Sequence, residues 1–171
     1  MIKTSLLFLL FSSISYATSF SDGSKKFGLS GGNDACWFDF NNDGWTDVCV
    51  GGNVYRNIKG KKFVFITKTG PSVAADFDND GFLDLYSWGN RKVYRNIDGK
   101  EFKIIKLPEL PKGGSLGACW GDFNGDGFVD IYAGGYETWP SETYADFILM
   151  NHGGESFKLE WQEVRYRARG V

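Results

Sequence analysis

The sequence predicts an all-β fold made of three similar units, and three observations support this prediction. Short runs of β-branched and aromatic residues are separated by Gly, Asn and Asp, as is typical of strands joined by tight turns. No long stretch has the apolar periodicity of a helix. An acidic nine-residue segment occurs three times, as DFNNDGWTD (39–47), DFDNDGFLD (76–84) and DFNGDGFVD (122–130). The starts of these segments lie 37 and 46 residues apart, which indicates internal repeats.

The first seventeen residues have the pattern of a signal peptide. Met1 to Lys3 carries one positive charge, SLLFLLF forms a short apolar core, and SSISYA ends in small residues. The apolar run is too short to cross a bilayer. We therefore expect cleavage after Ala17 and a secreted, extracellular protein, or a periplasmic one if the source is bacterial.

Each repeat is predicted to contain four short strands around its acidic loop. One strand enters the loop (ACWF, VAA or ACW) and a second leaves it (DVCV, DLYS or DIYA). The third is NVYRN, KVYRN or FILMN, and a turn rich in Gly leads to the fourth, KFVFI, EFKII or SFKLE. Four antiparallel strands per 37 to 46 residues are typical of the blades of a β-propeller.

The predicted blades cover residues around 30–70, 71–112 and 113–165. Because propellers usually have about 4–8 blades, three indicate a partial propeller within a larger ring. The segment SFSDGSKKFGL, which starts at Ser19 and contains Phe20, resembles a fourth strand and is expected to pair as an outer strand. RARGV at 167–171 resembles the start of a fourth repeat. The partners expected from this pattern are the remaining blades of a longer parent chain, or other copies.

The acidic loops have the composition of calcium sites. Calcium takes about 6–8 oxygen ligands, and a nine-residue loop can supply them from side chains at positions 1, 3, 5 and 9 and the backbone carbonyl at position 7. Gly44, Gly81 and Gly127 stand at position 6, where the chain must turn sharply. The predicted ligands are Asp39, Asn41, Asp43, Trp45 and Asp47 in the first loop; Asp76, Asp78, Asp80, Phe82 and Asp84 in the second; and Asp122, Asn124, Asp126, Phe128 and Asp130 in the third.

Other interpretations of these loops fit less well. Plain Asn/Asp/Gly turns would not need the same spacing three times. Magnesium prefers ideal octahedral geometry and keeps its waters, and zinc prefers nitrogen and sulfur ligands. An EF-hand needs a Glu at position 12 and flanking helices, whereas position 12 here is Val50, Ser87 or Ala133. The sequence therefore favours three Ca²⁺ sites in β-hairpin loops.

The combined pattern WxDFNNDGxxDxxVGG followed by VYRNxxGKxF resembles the FG-GAP/VCBS repeats that form integrin α-type propellers. Within that group it is most similar to the secreted cartilage acidic protein/UnbV-like branch, and the likeness covers residues 19–171. The resemblance implies a seven- or eight-bladed propeller in which Asp and Asn at positions 1, 3, 5 and 9 bind calcium. It also implies a binding or adhesion module.

Several other residues recur or stand alone. Asn57, Asn96 and Asn151 are predicted to cap hairpin turns, and Arg56 and Arg95 to make strand-surface or inter-blade contacts. The aromatic residues predicted to pack between blades are Trp37, Phe38, Trp120 and Phe123. Cys36 and Cys119 are interpreted as small core residues, a Cys36–Cys49 disulfide remains an alternative, and His152 is interpreted as a turn residue.

The function predicted from the sequence is a secreted, calcium-stabilised module that binds a protein or glycan. No nucleophile–base motif is found, and ten of the 21 acidic residues are accounted for by the three loops, so we expect no enzyme activity. The chain lacks a basic stripe, which disfavours nucleic acid, and we expect no membrane span. The insertion ETWPSETYAD (137–146) is a candidate binding surface. The alternative is the propeller part of a larger secreted enzyme, such as a polysaccharide-processing or phospholipase-like protein.

Overall fold

The computed structural model describes residues 21–138 and 142–164. The predicted signal peptide (1–17), Phe20 and the C-terminal segment 165–171 lie outside these ranges. Within them the protein is all-β, with three four-stranded antiparallel sheets and one four-residue helix, α1 (Ser24–Phe27). No helix in the described ranges has the length and apolar character needed to cross a membrane.

We call the three sheets blades 1, 2 and 3, and in each the strands lie in chain order. Blade 1 contains β1 (Ala35–Phe38), β2 (Asp47–Val50), β3 (Asn53–Asn57) and β4 (Phe63–Lys68). Blade 2 contains β5 (Ser72–Ala75), β6 (Asp84–Ser87), β7 (Lys92–Ile97) and β8 (Glu101–Ile105). This order follows from short turns between successive antiparallel strands.

Blade 3 has longer strands and an inserted hairpin. It contains β9 (Ser115–Gly121), β10 (Asp130–Gly135), β13 (Asp146–His152) and β14 (Ser156–Glu163). The insertion forms a two-stranded hairpin, β11 (Glu137–Thr138) with β12 (Glu142–Thr143), and its tip lies outside the described residues. All twelve predicted blade strands are thus confirmed.

The blades pack side by side through their first strands, with β1 beside β5 and β5 beside β9. Two hydrophobic clusters fill the spaces between them. One joins blades 1 and 2 around Phe40, Val54 and Leu85, and the other joins blades 2 and 3 around Phe77 and Ile131. This arrangement places the three acidic loops in series along one rim, because each loop connects the first two strands of its blade.

Two predictions about the ends and the cysteines need correction. In the segment around Phe20, residues 24–27 form α1 and no strand is present in the described part, 21–29. The helix ends at Gly28, whose φ of 79° is the left-handed conformation that terminates helices. Cys36 and Cys49 lie opposite each other in the β1–β2 ladder, but all three cysteines are free thiols. Cys49 is a core residue, half-buried Cys36 packs against the same cluster as predicted, and Cys119 is half-buried.

Candidate metal centre

The aspartate at position 9 anchors each acidic loop to its blade. Asp84 is fully buried at the start of β6, and its carboxylate accepts the backbone N–H of Phe77 (3.0 Å) and of Asn96 (2.7 Å). The same pair of bonds is made by Asp47 in the first loop and by Asp130 in the third. Each carboxylate therefore joins its own loop to the third strand of its blade.

Burial affects the protonation of two of these anchors. Loss of water around the carboxyl raises the pKa of Asp84 to about 7, and the same cause raises the pKa of Asp47 to about 6. Backbone N–H donors oppose the shift without cancelling it, and neighbouring loop carboxylates add to it. Without a cation, a buried negative charge at position 9 is thus poorly compensated.

The aspartate at position 1 folds the loop around itself. Asp76 accepts the backbone N–H of Asp80 at 3.0 Å and of Gly81 at 2.8 Å. Asp39 and Asp122 accept the equivalent amides of their own loops. The bond from Gly127 is the main cause that lowers the pKa of Asp122. Three loops of different sequence therefore share one conformation.

The turn within each loop depends on two left-handed positions. Position 4 is Asn42 (φ 54°), Asn79 (φ 58°) or Gly125 (φ 74°), and position 6 is always glycine, with φ between 80° and 89°. Gly, Asn and Asp are the residues that adopt this conformation most readily. The position-5 carboxylate, exemplified by Asp80, then accepts the N–H of the position-7 residue, Phe82, at 2.8 Å. The same bond recurs in the other two loops.

The side-chain oxygens at position 3 show whether the loop residues fit a cation. Asn41 Oδ1 and Asp78 Oδ1 are buried oxygens without a hydrogen-bond partner, and both belong to predicted ligand residues. In the second loop, Asp76, Asp78 and Asp84 offer oxygens within 4.8 Å of one another. Oxygens alone, several of them charged, are the donor set of a hard cation such as calcium. The residues therefore fit Ca²⁺, most fully in the second loop.

The first and third loops assemble fewer carboxylates. Position 3 is Asn41 or Asn124 there, and its amide donates to the position-5 carboxylate, at 3.0 Å to Asp43 and 2.8 Å to Asp126. Within the described ranges, no comparable group of three carboxylates is found in these two loops. The ligand role of the position-7 carbonyls, at Trp45, Phe82 and Phe128, remains a prediction.

Comparison with known families identifies the repeat. The model of the FG-GAP-like repeat matches residues 39–87 and again residues 76–133, so that the two matches together span more than half of the chain. The protein belongs to the FG-GAP-like repeat family. A comparison with curated proteins finds no match. The predicted FG-GAP kinship is thus confirmed, whereas its UnbV-like branch stays a prediction.

In this FG-GAP-like protein two arginines reach the acidic loops, which the sequence did not indicate. Arg56 lies 2.9 Å from Asp43 Oδ2 and is the main cause that holds the pKa of that carboxyl below its usual range. Arg95 Nε lies 2.8 Å from Asp78 Oδ2, and its guanidinium stacks over Phe77 and donates to the carbonyl of Gly154. The recurrence of Arg in YRN after the first and second loops was the available signal, and the bond to Gly154 of blade 3 confirms the inter-blade contact predicted for Arg95.

The first and second loops are also bonded to the blade that follows them. The Asn96 amide caps its own hairpin at Gly99, as predicted, and also donates to Phe40 O of the first loop at 2.6 Å. The Asn151 amide makes the equivalent bond to Phe77 O of the second loop at 2.7 Å. These inter-blade bonds were missed, because a turn-capping role already explained the recurring asparagine.

The hairpin turn of the following blade covers position 3. A Cβ on Gly99 would lie 2.7 Å from Asn41 Cα, and one on Gly154 would lie 2.8 Å from Asp78 Cα, so the turns touch the loop backbone. The position-4 asparagines complete the contact, since Asn42 donates to Gly81 O and Asn79 to Gly127 O. This covering explains why the position-3 oxygens of the first two loops are buried.

The third loop has no such cover within the described residues. Phe123, at position 2, is 49% exposed, whereas the equivalent Phe77 is 0% exposed.

Trp37 is also exposed, although Phe38 and Trp120 are packed as predicted. The expectation that all four aromatic residues pack between blades is therefore wrong for Phe123 and Trp37. His152 is exposed at the end of β13, beside its turn.

Proposed function

We propose that this protein is a secreted, calcium-stabilised propeller module that binds a protein or a glycan. The observation that carries the calcium part is the pair of buried, unpartnered oxygens at position 3, Asn41 Oδ1 and Asp78 Oδ1. Buried polar atoms in native proteins nearly always have a partner, and a cation supplies one. A cation at this site would also stabilise the ionised form of the buried Asp84 carboxylate.

The proposed role of calcium is structural rather than catalytic. Carboxylate oxygens at positions 1, 5 and 9 accept amide hydrogens of their own loop, as Asp76, Asp80 and Asp84 do in the second. These hydrogen bonds fix the conformation of the loop. An ion at their centre would join the first two strands of the blade and, through Asp84, the third strand as well.

Thermal unfolding in calcium and in excess chelator tests the calcium part of the proposal. An ion present at about 100 times its dissociation constant adds about 2.7 kcal/mol per site to the free energy of unfolding. For a chain of this size, each kcal/mol raises the melting temperature by about 2–4 °C. We expect a rise of about 5 °C or more with calcium and a smaller rise with magnesium. Equal melting curves in calcium and chelator would refute the proposal.

The binding part of the proposal is based on family membership and on the inserted hairpin β11–β12. The FG-GAP-like repeat supplies a rigid scaffold, and loops on such scaffolds commonly carry binding residues. Tyr136, which precedes the hairpin, is exposed. Binding to arrays of glycans and extracellular proteins should be lost when residues 137–143 are replaced by Asn-Gly. Unchanged binding by that variant would exclude the hairpin as the binding surface.

A further inference from the structure

The two junctions between blades are built from the same contacts. In each, the preceding blade contributes its acidic loop and the following blade contributes a turn and an aromatic residue from its fourth strand. Phe40 packs on Phe102 with ring centroids 5.7 Å apart, and Phe77 packs on Phe157 at 5.3 Å. Repetition of the same contacts at both junctions shows that they are the general way in which these blades join.

Blade 3 presents the loop half of such a junction, and among residues 21–138 and 142–164 no further blade lies against it. We call Phe123, its backbone carbonyl and Asn124 the trailing face. Phe123 and Asn124 are both exposed, whereas Phe40 and Asn41 in the first loop are covered by blade 2. The loop conformation itself is the same, since Phe123 N–H still donates to Asp130. The trailing face is therefore preformed.

Blade 1 presents the other half. We call Trp37, Asn57 and Phe63 the leading face, because their equivalents in blade 3 are Trp120, Asn151 and Phe157, which contact blade 2. Trp37 is 60% exposed and has an edge contact with Phe63 at 6.4 Å.

The hydrogen bonds of Asn57 show what the leading face lacks. Its Nδ2 donates to Thr46 O, as Asn151 Nδ2 donates to Val129 O within its own blade. Asn151 makes a second bond, to Phe77 O of the preceding blade. Among the described residues, the Asn57 side chain makes no such bond to a preceding blade.

Helix α1 limits how the leading face can be approached. Together with Gly23 and Leu29, its residues Lys26 and Phe27 line a groove whose other wall is Trp37 and Phe63. The helix does not cover the indole, since more than half of Trp37 remains exposed. An aromatic side chain can thus reach Trp37 from the open side of the groove.

We propose that the leading face of one copy of this protein docks on the trailing face of a second copy. Phe123 of one copy would stack on Trp37 of the other, as Phe77 stacks on Trp120 with centroids 6.3 Å apart and an interplanar angle of 3°. Asn57 Nδ2 would donate to Phe123 O, as Asn151 does to Phe77 O. The two faces differ, so the contact is heterologous and joins copies head to tail.

A mixing experiment separates this geometry from any other association. Phe123→Asp disables the trailing face and Trp37→Asp disables the leading face, and both positions are exposed, so the fold should tolerate them. Ile104→Asp is the matched control, because Ile104 is 57% exposed on the outer strand of the middle blade. Sedimentation velocity of the full protein is recorded for each variant alone and for the 1:1 mixture. Phe123→Gln replaces Phe123→Asp if the latter unfolds early.

We expect the wild type and Ile104→Asp to associate as their concentration rises, while Phe123→Asp and Trp37→Asp each remain monomeric. The mixture should form a dimer and nothing larger, because it retains one intact pair of faces. A monomeric wild type would overturn the proposal. So would association that survives both substitutions, or a mixture that stays monomeric.

Discussion

The second and third acidic loops have nearly the same sequence and hydrogen bonds but different surroundings. The turn at Gly154 of blade 3 covers position 3 of the second loop, and Arg95 pairs with its Asp78. The third loop is open at the equivalent Asn124, and Met150 stands where the arginine would be. Each loop thus obtains its conformation from its own residues, whereas burial of its ligands comes from the neighbouring blade. Substitutions can change one of these two contributions at a time.

The largest effect is expected at position 9, where the aspartate of each loop makes the same pair of hydrogen bonds. Asp84→Ala leaves two buried backbone N–H groups without an acceptor, and Asp130→Ala leaves one buried and one part-buried N–H group, at about 1–3 kcal/mol per group. We expect both substitutions to lower the free energy of unfolding by about 2–6 kcal/mol, measured by urea denaturation in calcium. A small effect of Asp130→Ala alone would mean that the anchor depends on cover by the next blade.

The second prediction concerns pH in the absence of calcium. The pKa of Asp84 is about 7 in the folded protein, against about 3.9 in an unfolded chain, so the folded state binds the extra proton between these values. The free energy of unfolding therefore falls as pH rises from about 4 to 7. Urea denaturation with excess chelator should show this fall, and Asp84→Asn should reduce it. Stability that rises over this range, with the same slope in Asp84→Asn, would contradict the assignment.

The third prediction tests the cover itself with two adjacent glycines. Gly153 and Gly154 both have positive φ, of 62° and 76°, so alanine at either strains the backbone by about 1–2 kcal/mol. A Cβ at Gly153 meets nothing within 4 Å, whereas one at Gly154 would lie 2.8 Å from Asp78 Cα. Gly154→Ala should therefore destabilise by about 1–3 kcal/mol more than Gly153→Ala. In Gly154→Ala, the calcium affinity of the second loop should fall, whereas that of the third loop should stay unchanged. Calcium titrations followed by the amide NMR signals of Gly81 (second loop) and Gly127 (third loop) measure the two affinities.

The smallest effect is expected from exchanging the arginine. Arg95→Met gives the second loop the residue of the third and removes a half-buried positive charge beside Asp78, so its calcium affinity should rise. An ion pair of this exposure contributes about 1 kcal/mol, which corresponds to about fivefold in affinity. Met150→Arg should lower the affinity of the third loop to a similar degree. Calcium titrations followed by the amide NMR signals of Gly81 and Gly127 measure the affinities of the second and third loops. If neither affinity changes, the arginine does not compete with the ion.

Much of the fold and of the loop geometry could be predicted because the signals are local. Strand positions follow from short β-branched and aromatic runs, and the loop conformation follows from Asp at positions 1, 5 and 9 with glycine at position 6. The segment at 21–29 was mispredicted as a strand. Its likeness to later fourth strands did not outweigh the local preference of SKKF to form a helical turn that ends at Gly28.

The sequence by itself determined the repeat, the strands of each blade and the folding of each acidic loop around its own carboxylates. These depend on contacts within about ten or twenty residues, which a spacing pattern records. Only the tertiary structure decided which loop oxygens are buried, which arginine meets which carboxylate, and which aromatic residues stay exposed. Those features depend on whether another blade lies against a given face. The same residue, such as Phe at position 2, is therefore fully buried at Phe77 and half-exposed at Phe123.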